Sequence, residues 1–157
     1  MDKNLIDFLK NQKLLAIATI DHENKPWIAN VYYSVDGDLN LFFVSPQDTN
    51  HSKHIQNNSR VAFTISWYNK DNLSDRKAVQ GRGVCRLLEN PKEIVRFLTN
   101  HYKYFPSWKD EITYENMLQK IIESRPYIIK PTYMKFWNDE LFGEEGTREF
   151  NFGGRDE

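Results

Sequence analysis

The residues best suited to chemistry are clustered in His51-Ser52-Lys53-His54. They follow Phe42-Phe43-Val44-Ser45, which reads as a buried strand ending at Ser45, and the polar turn Pro46-Gln47-Asp48. A short helix is predicted from about Asn50 to Asn58. Thr49 or Asn50 can cap it, because either side chain can accept from unpaired first-turn amides. The charge there runs against expectation. The N-terminal end of a helix is positive and attracts acids, yet His51, Lys53 and His54 crowd the first turn with no acid after Asp48. Free amides, a helix dipole and a lysine together make a phosphate pocket. Taken alone, Lys53 reads more simply as a solvated surface lysine than as a phosphate ligand.

The rest of the catalytic inventory is thin. His51 and His54 could face one metal, but no third ligand has supporting spacing, so no metal site is expected. Cys85 lies mid-strand between Val84 and Arg86 and reads as a buried, inert thiol. No serine elbow, P-loop or H-E-x-x-H occurs, and Gly81-Arg82-Gly83 opens no helix, so it is not a dinucleotide fingerprint. No residue is assigned as catalytic. That leaves a binding module, or an enzyme whose cofactor performs the chemistry.

Composition narrows the classes further. The 157 residues suit one domain, and a net charge of -1 supplies no basic footprint for nucleic acid. No apolar run approaches the roughly 18 residues a membrane span needs, and Met1-Asp2-Lys3-Asn4 does not read as a signal peptide. A single cysteine excludes an internal disulfide and fits a reducing cytoplasm. Aromatic residues make up 14% of the chain, an excess that suggests a second interface, a planar ligand or an aromatic-rich core.

The elements that must position these residues are mostly strands. Asp2 can cap a helix with Leu5, Ile6, Phe8 and Leu9 on one face. Strands are expected over Leu14–Ile20, Trp27–Val35, Leu39–Ser45, Arg60–Trp67 and Lys77–Leu88, with a last one formed by Tyr127–Ile129 and Thr132–Asn138 around Pro131. Trp27–Val35 alternates, and Asp36-Gly37 marks a hairpin in which the glycine would take positive φ. Tyr68 to Arg76 reads as a polar connection. Gly81 and Gly83 suggest a bulge or a hard bend in their strand. Asn90-Pro91-Lys92-Glu93 opens a helix carrying Ile94, Phe97, Leu98 and His101. Thr113 opens another with Met117, Leu118, Ile121 and Ile122 inward. About six hairpin-connected strands with helices between them argue for a mainly β (α+β) fold, a small antiparallel barrel with peripheral helices.

In that order, several segments resemble the pyridoxamine 5′-phosphate oxidase-like family of FMN-binding split barrels. They are Lys25-Pro26-Trp27-Ile28-Ala29-Asn30-Val31-Tyr32-Tyr33, Leu41-Phe42-Phe43-Val44-Ser45, the Ser52-Lys53 turn, Asn57–Ala62, Val79–Val84 and Phe136-Trp137. The resemblance covers roughly residues 5–90 and 130–139. It implies a six-stranded antiparallel split barrel over residues 1–139, with a helical insertion at about 104–130 and a polar tail over 140–157. It also implies a homodimer with FMN at the subunit interface. By position, Ala29, Asn30, Val31 and Tyr32 would line the ring and ribityl chain, with Val44 and Ser45 on the adjacent strand. His51, Ser52 and Lys53 would hold the phosphate, Arg76 and Gln80 would reach the flavin or its phosphate, and Trp137 would approach from the partner chain.

One departure bears on the substrate. In the vitamin oxidases of the family, basic residues that grip the substrate phosphate follow the late aromatic. Here Trp137 is followed by Asn138-Asp139-Glu140-Leu141-Phe142-Gly143-Glu144-Glu145, with no base until Arg148. A second phosphate beside four carboxylates would be repelled, so the vitamin is not the expected substrate. The expectation is an FMN-dependent oxidoreductase acting on an unassigned small molecule. The alternatives are a non-catalytic flavin-binding or sensing module, or a deazaflavin- or haem-binding relative in which His51 or His54 would be the axial candidate.

Overall fold

Two aspartates shape the hairpins with which the sheet begins. In a computed structural model that describes residues 2–144 and 146–154, β1 (Leu14–Ile20) turns into β2 (Pro26–Tyr32), and β3 (Ser34–Val35) turns into β4 (Leu41–Pro46). Asp21 Oδ1 accepts from the amides of Glu23 and Lys25, and Asp36 Oδ1 from those of Asp38 and Asn40. Each turn places one residue at positive φ: Asn24 in the first and Leu39 in the second, both at 63°. That corrects the role expected of Gly37. Leu39 is buried, and core packing holds it in the left-handed region against a cost of about 1–2 kcal/mol.

All strands pair antiparallel. The sheet order is β2-β1-β5-β6-β7-β4-β3, with β5 (Arg60–Asn69), β6 (Asn72–Leu87) and β7 (Ser124–Asn138), and β8 (Thr147–Asn151) pairs with β7. The sheet curls into a split barrel with peripheral helices. One residue, Tyr33, separates β2 at one edge from β3 at the other. Its buried ring anchors this corner by donating its hydroxyl to the Leu9 carbonyl at 2.6 Å.

The six expected strands are present, with differences that have local causes. Trp27–Val35 divides at Tyr33 into β2 and β3. The expected polar connection Tyr68–Arg76 is instead mostly hairpin, because β5 and β6 stay paired out to Asn69 and Asn72. β7 runs through Pro131 because the register shifts there: Arg82 pairs with Tyr133 and Gly83 with Pro131, leaving Thr132 as the bulged residue. A bulge tolerates a residue without an N–H.

Two hydrophobic clusters hold the layers together. The first fills the barrel with Leu15, Ile17, Phe43, Ile65, Val79 and Phe136, and α1 (Lys3–Asn11) lays Leu5, Phe8 and Leu9 against it. Asp2 caps α1 by accepting from the Asn4 and Leu5 amides. The second cluster lies outside β4 and β7. There Phe42 and Ile128 meet Phe97 and Leu98 of α3 (Pro91–Tyr104) and Met117 of α4 (Tyr114–Leu118). The insertion therefore covers the outer face of β4, and part of the aromatic excess is core. α4 is shorter than expected and is followed by Lys120 at positive φ. Met117 is buried and Ile122 packs on the cluster, but Leu118 and Ile121 are exposed.

The expected polar tail also carries regular structure. It contributes α5 (Asp139–Phe142) and β8, and Phe142, Phe150 and Phe152 pack against the barrel core. Arg148 pairs with Asp2, tying β8 to the start of α1. Residues 145 and 155–157 of that stretch lie outside the described residues. No helix among the described residues is long and apolar enough to cross a membrane.

Candidate cofactor site

The first turn of α2 (Asn50–Asn57) divides its side chains between the interior and the surface. Thr49 caps it, accepting from the Ser52 amide at 3.4 Å. The side chains of His51 and Ser52 turn inward. His51 Nε2 lies 2.7 Å from Ser45 Oγ, and Thr49 Oγ1 donates to Ser52 Oγ at 2.9 Å. Burial lowers the His51 pKa, with the charge of nearby His54 acting in the same direction, so this imidazole is a neutral member of a hydroxyl network. His54 faces elsewhere, with Nδ1 3.0 Å from Thr19 Oγ1, so the two histidines do not converge. Lys53 is exposed and has no ion-pair partner among the described residues. The amides of Asn50 and His51 likewise have no acceptor there. A cation and unpaired amides thus share the outward side of the turn.

α2 packs against β1 and β2, which places the helix beside the open edge of the sheet. Among the described residues β2 pairs only with β1, so one side of its backbone has no strand partner there. Along it Val31 is buried, Ala29 is half-buried, and Asn30 and Tyr32 project outward with Ile28. Ile28 is 64% and Tyr32 53% exposed. Val44 and Ser45 lie on β4, across the split from β2. Ser45 points to His51, and Val44 packs on the second cluster.

The remaining predicted residues form a separate group. Asn30 opposes Ala16, Ala16 opposes Thr64, and Thr64 opposes Gln80. Gln80 therefore shares the outer face with Asn30 but lies three strand spacings away, about 14 Å. Arg76 shares β6 with Gln80, and Trp137 lies one strand further on, in β7. The Arg76 guanidinium sits 5.6 Å from the Trp137 ring centroid, with Nε donating to Asp139 at 3.1 Å. Lys135 Nζ approaches the same ring at 5.6 Å. Beyond Arg76, a cavity of about 490 Å³ is lined by Asp75, Asp139, Glu140 and Glu144. One chain thus brings together Ala29–Tyr32, Val44, Ser45 and the α2 turn, and leaves Arg76, Gln80 and Trp137 apart from them.

The family described as pyridoxamine 5′-phosphate oxidase matches residues 1–137, which span the sheet from α1 to the end of β7. The chain belongs to the pyridoxamine 5′-phosphate oxidase-like family. A UPF0306 protein of Campylobacter jejuni is 30% identical over 143 residues, 90% of this chain and 92% of that protein. Another UPF0306 protein, from Pasteurella multocida, is 41% identical over 66 residues, but the match spans only 41% of this chain and 44% of the relative. Among solved structures, Campylobacter jejuni ChuZ aligns with a TM-score of 0.73 at 13% identity, covering 98% of this chain and 59% of ChuZ. HutZ of Vibrio cholerae, described as a haem storage protein, gives 0.66 at 16% identity, covering 83% and 89%. A structure described as a pyridoxamine 5′-phosphate oxidase of Listeria innocua gives 0.64 at 16% identity, covering 86% and 96%. These likenesses establish the split-barrel fold.

Within this split barrel, the residues that sequence reasoning missed lie on the insertion next to Tyr32. Phe105 and Trp108 stack at 4.6 Å, and the Tyr32 ring meets both edge-on at 5.9 and 5.6 Å. Behind them His101 is fully buried, with Nδ1 3.1 Å from Ser34 Oγ and Nε2 without a partner among the described residues. Burial pushes its pKa down to about 4. The available signal was density: His101, Tyr102, Tyr104, Phe105 and Trp108 fall within eight residues. Nothing local showed that they would face β2.

Proposed function

We propose that this split barrel binds FMN and acts as an FMN-dependent oxidoreductase on a small molecule. The observation that carries this reading is the exposed, unpaired Lys53 beside unpaired helix-start amides, at the open edge of β2. An anion is the group that a lysine beside free helix-start amides favours. Lys53 and the first-turn backbone would hold the phosphate, while the free edge of β2 and outward Asn30 and Tyr32 would receive the ring and ribityl chain. Bound flavin would supply hydride or electron-pair transfer. The protein's part is to bind, orient and exclude water.

Haem is the second reading, since a haem-binding protein of Mycobacterium smegmatis (TM-score 0.69, 16% identity, 89% of this chain and 53% of that one) also shares the fold. Histidine placement favours flavin: His101 is buried, His51 is bonded to Ser45, and His54 is bonded to Thr19. The absorption spectrum of purified protein separates flavin, deazaflavin and haem directly. Reduction by NADH or NADPH then distinguishes an oxidoreductase from a sensing module. Lys53→Ala should weaken FMN about 10- to 150-fold, from the loss of one charge-assisted contact, and leave riboflavin nearly unchanged. Equal loss of both in a fluorescence titration would make Lys53 a structural residue.

The separation of Gln80, Arg76 and Trp137 from β2 supports a two-fold homodimer in which the partner supplies them to each flavin. The outer face also offers exposed Leu14, Ile20, Ile28 and Tyr32 around the small residues Ala16, Ala18 and Ala62. An interface above about 2,000 Å² in total is expected, in the obligate range. Light scattering that finds a monomer at micromolar concentration would remove this arrangement and the shared site.

A further inference from the structure

A second concentration of unpaired positive charge lies away from α2. A cavity of about 480 Å³ opens between the C-terminal ends of α1 and α3 and the β3–β4 turn, with Lys10, Lys13, Lys103, Asn100 and Tyr104 in its wall. That volume is in the range of small-molecule pockets. All three lysines are exposed, and none has a carboxylate partner among the described residues. The one carboxylate in the wall, Asp36, is buried and paired with Arg96 at 2.8 Å. Asn100 Nδ2 and Tyr104 Oη both donate to the Val35 carbonyl, at 3.1 and 3.0 Å, which fixes the wall between the lysines.

Helix dipoles account for only part of this. Lys10 and Lys103 lie in the last turns of α1 and α3, where cations are favoured. Lys13 lies just beyond the α1 cap, outside the last turn where the dipole acts most strongly. Its ammonium instead stands 5.7 Å from the Phe105 ring centroid, and Phe105 in turn contacts Tyr32. The pocket thus adjoins the edge strand. Other cavities are acidic or mixed: Asp75, Asp139, Glu140 and Glu144 line one, and Asp48, Glu123, Lys120 and Arg125 another.

We infer that this lysine pocket binds the phosphate end of a small molecule. Three ammonium groups without an arginine suit the point-charge recognition of a phosphate better than the planar fork a carboxylate favours. The site is distinct from Lys53 and holds whether or not flavin is the cofactor. The test uses inorganic pyrophosphate as the probe, at low ionic strength, followed by calorimetry and by backbone amide shifts. Binding is expected to shift Gly37 and Asn100, to fall about tenfold or more in Lys13→Gln and Lys103→Gln, to weaken with salt, and to persist in Lys53→Gln. All of these lysines are exposed, so the variants should keep the parent melting temperature. Three outcomes would overturn the assignment: no binding by the parent protein, loss in Lys53→Gln alone, or an equal loss when the distant Lys92 is replaced by Gln.

Discussion

Replacing Gly83 with alanine is expected to destabilise the protein by about 2–3 kcal/mol, and valine by more. The cause is space. A Cβ at Gly83 would meet the Lys130 carbonyl oxygen at 2.3 Å and the Pro131 Cα at 2.9 Å, both backbone atoms of β7 at the bulge. Neither strand can yield without breaking the pairing that bends the barrel. Gly81 offers a graded comparison. Its added Cβ would meet the Phe63 ring at 2.3 Å, and although that ring is buried, it can tilt. Alanine there should cost about 1–2 kcal/mol. At Gly37 a Cβ meets nothing within 4 Å, so alanine should stay within about 0.5 kcal/mol of the parent. Denaturant melts of the three alanine variants should follow the order 83, 81, 37. Three coincident curves would mean that the bend does not depend on close strand approach.

Acid should weaken the fold through His101. Its neutral ring sits among Phe97, Phe105 and Trp108, and its only hydrogen bond among the described residues is to Ser34. Burial depresses the folded-state pKa to about 4, below the roughly 6.5 of an unfolded histidine. The unfolded chain therefore binds the proton first. The contribution is complete above about pH 6.5 and is lost as pH falls toward 4, to a limit of about 3 kcal/mol. His51, also depressed by burial, titrates in the same direction, so the informative quantity is a difference. His101→Leu costs stability at neutral pH by leaving the Ser34 hydroxyl unpaired, but its stability should fall less steeply between pH 6.5 and 4. Parallel pH profiles for the two proteins would show that His101 is not held neutral by burial.

Much of the scaffold was legible in the sequence because local physical chemistry determines it. Alternation and apolar runs located the six strands. Asp2, Thr49 and Asn90 cap their helices as side-chain acceptors must. The glycines of β6 marked the bend, and the charge anomaly at Lys53 marked a helix start that an anion would complete. Each signal is short in range, so the chain states it without help from the fold.

The tertiary structure decided what depends on distant partners. Leu39 takes positive φ because the core holds it there, although Gly37 was the residue suited to it. The polar stretch after Trp137 became α5 and β8 because β7 offered a free edge and Asp2 a partner for Arg148. His51 and Ser52 turned inward because Ser45 and Thr49 lie behind the turn, leaving Asn50 and Lys53 to face outward. The distance from Gln80 to β2, and the meeting of Lys10, Lys13 and Lys103 across two helix ends, follow from strand order and helix packing. Neither is written in any single window of sequence, because pairing across a sheet and convergence of helix ends join residues whose separation along the chain carries no signal.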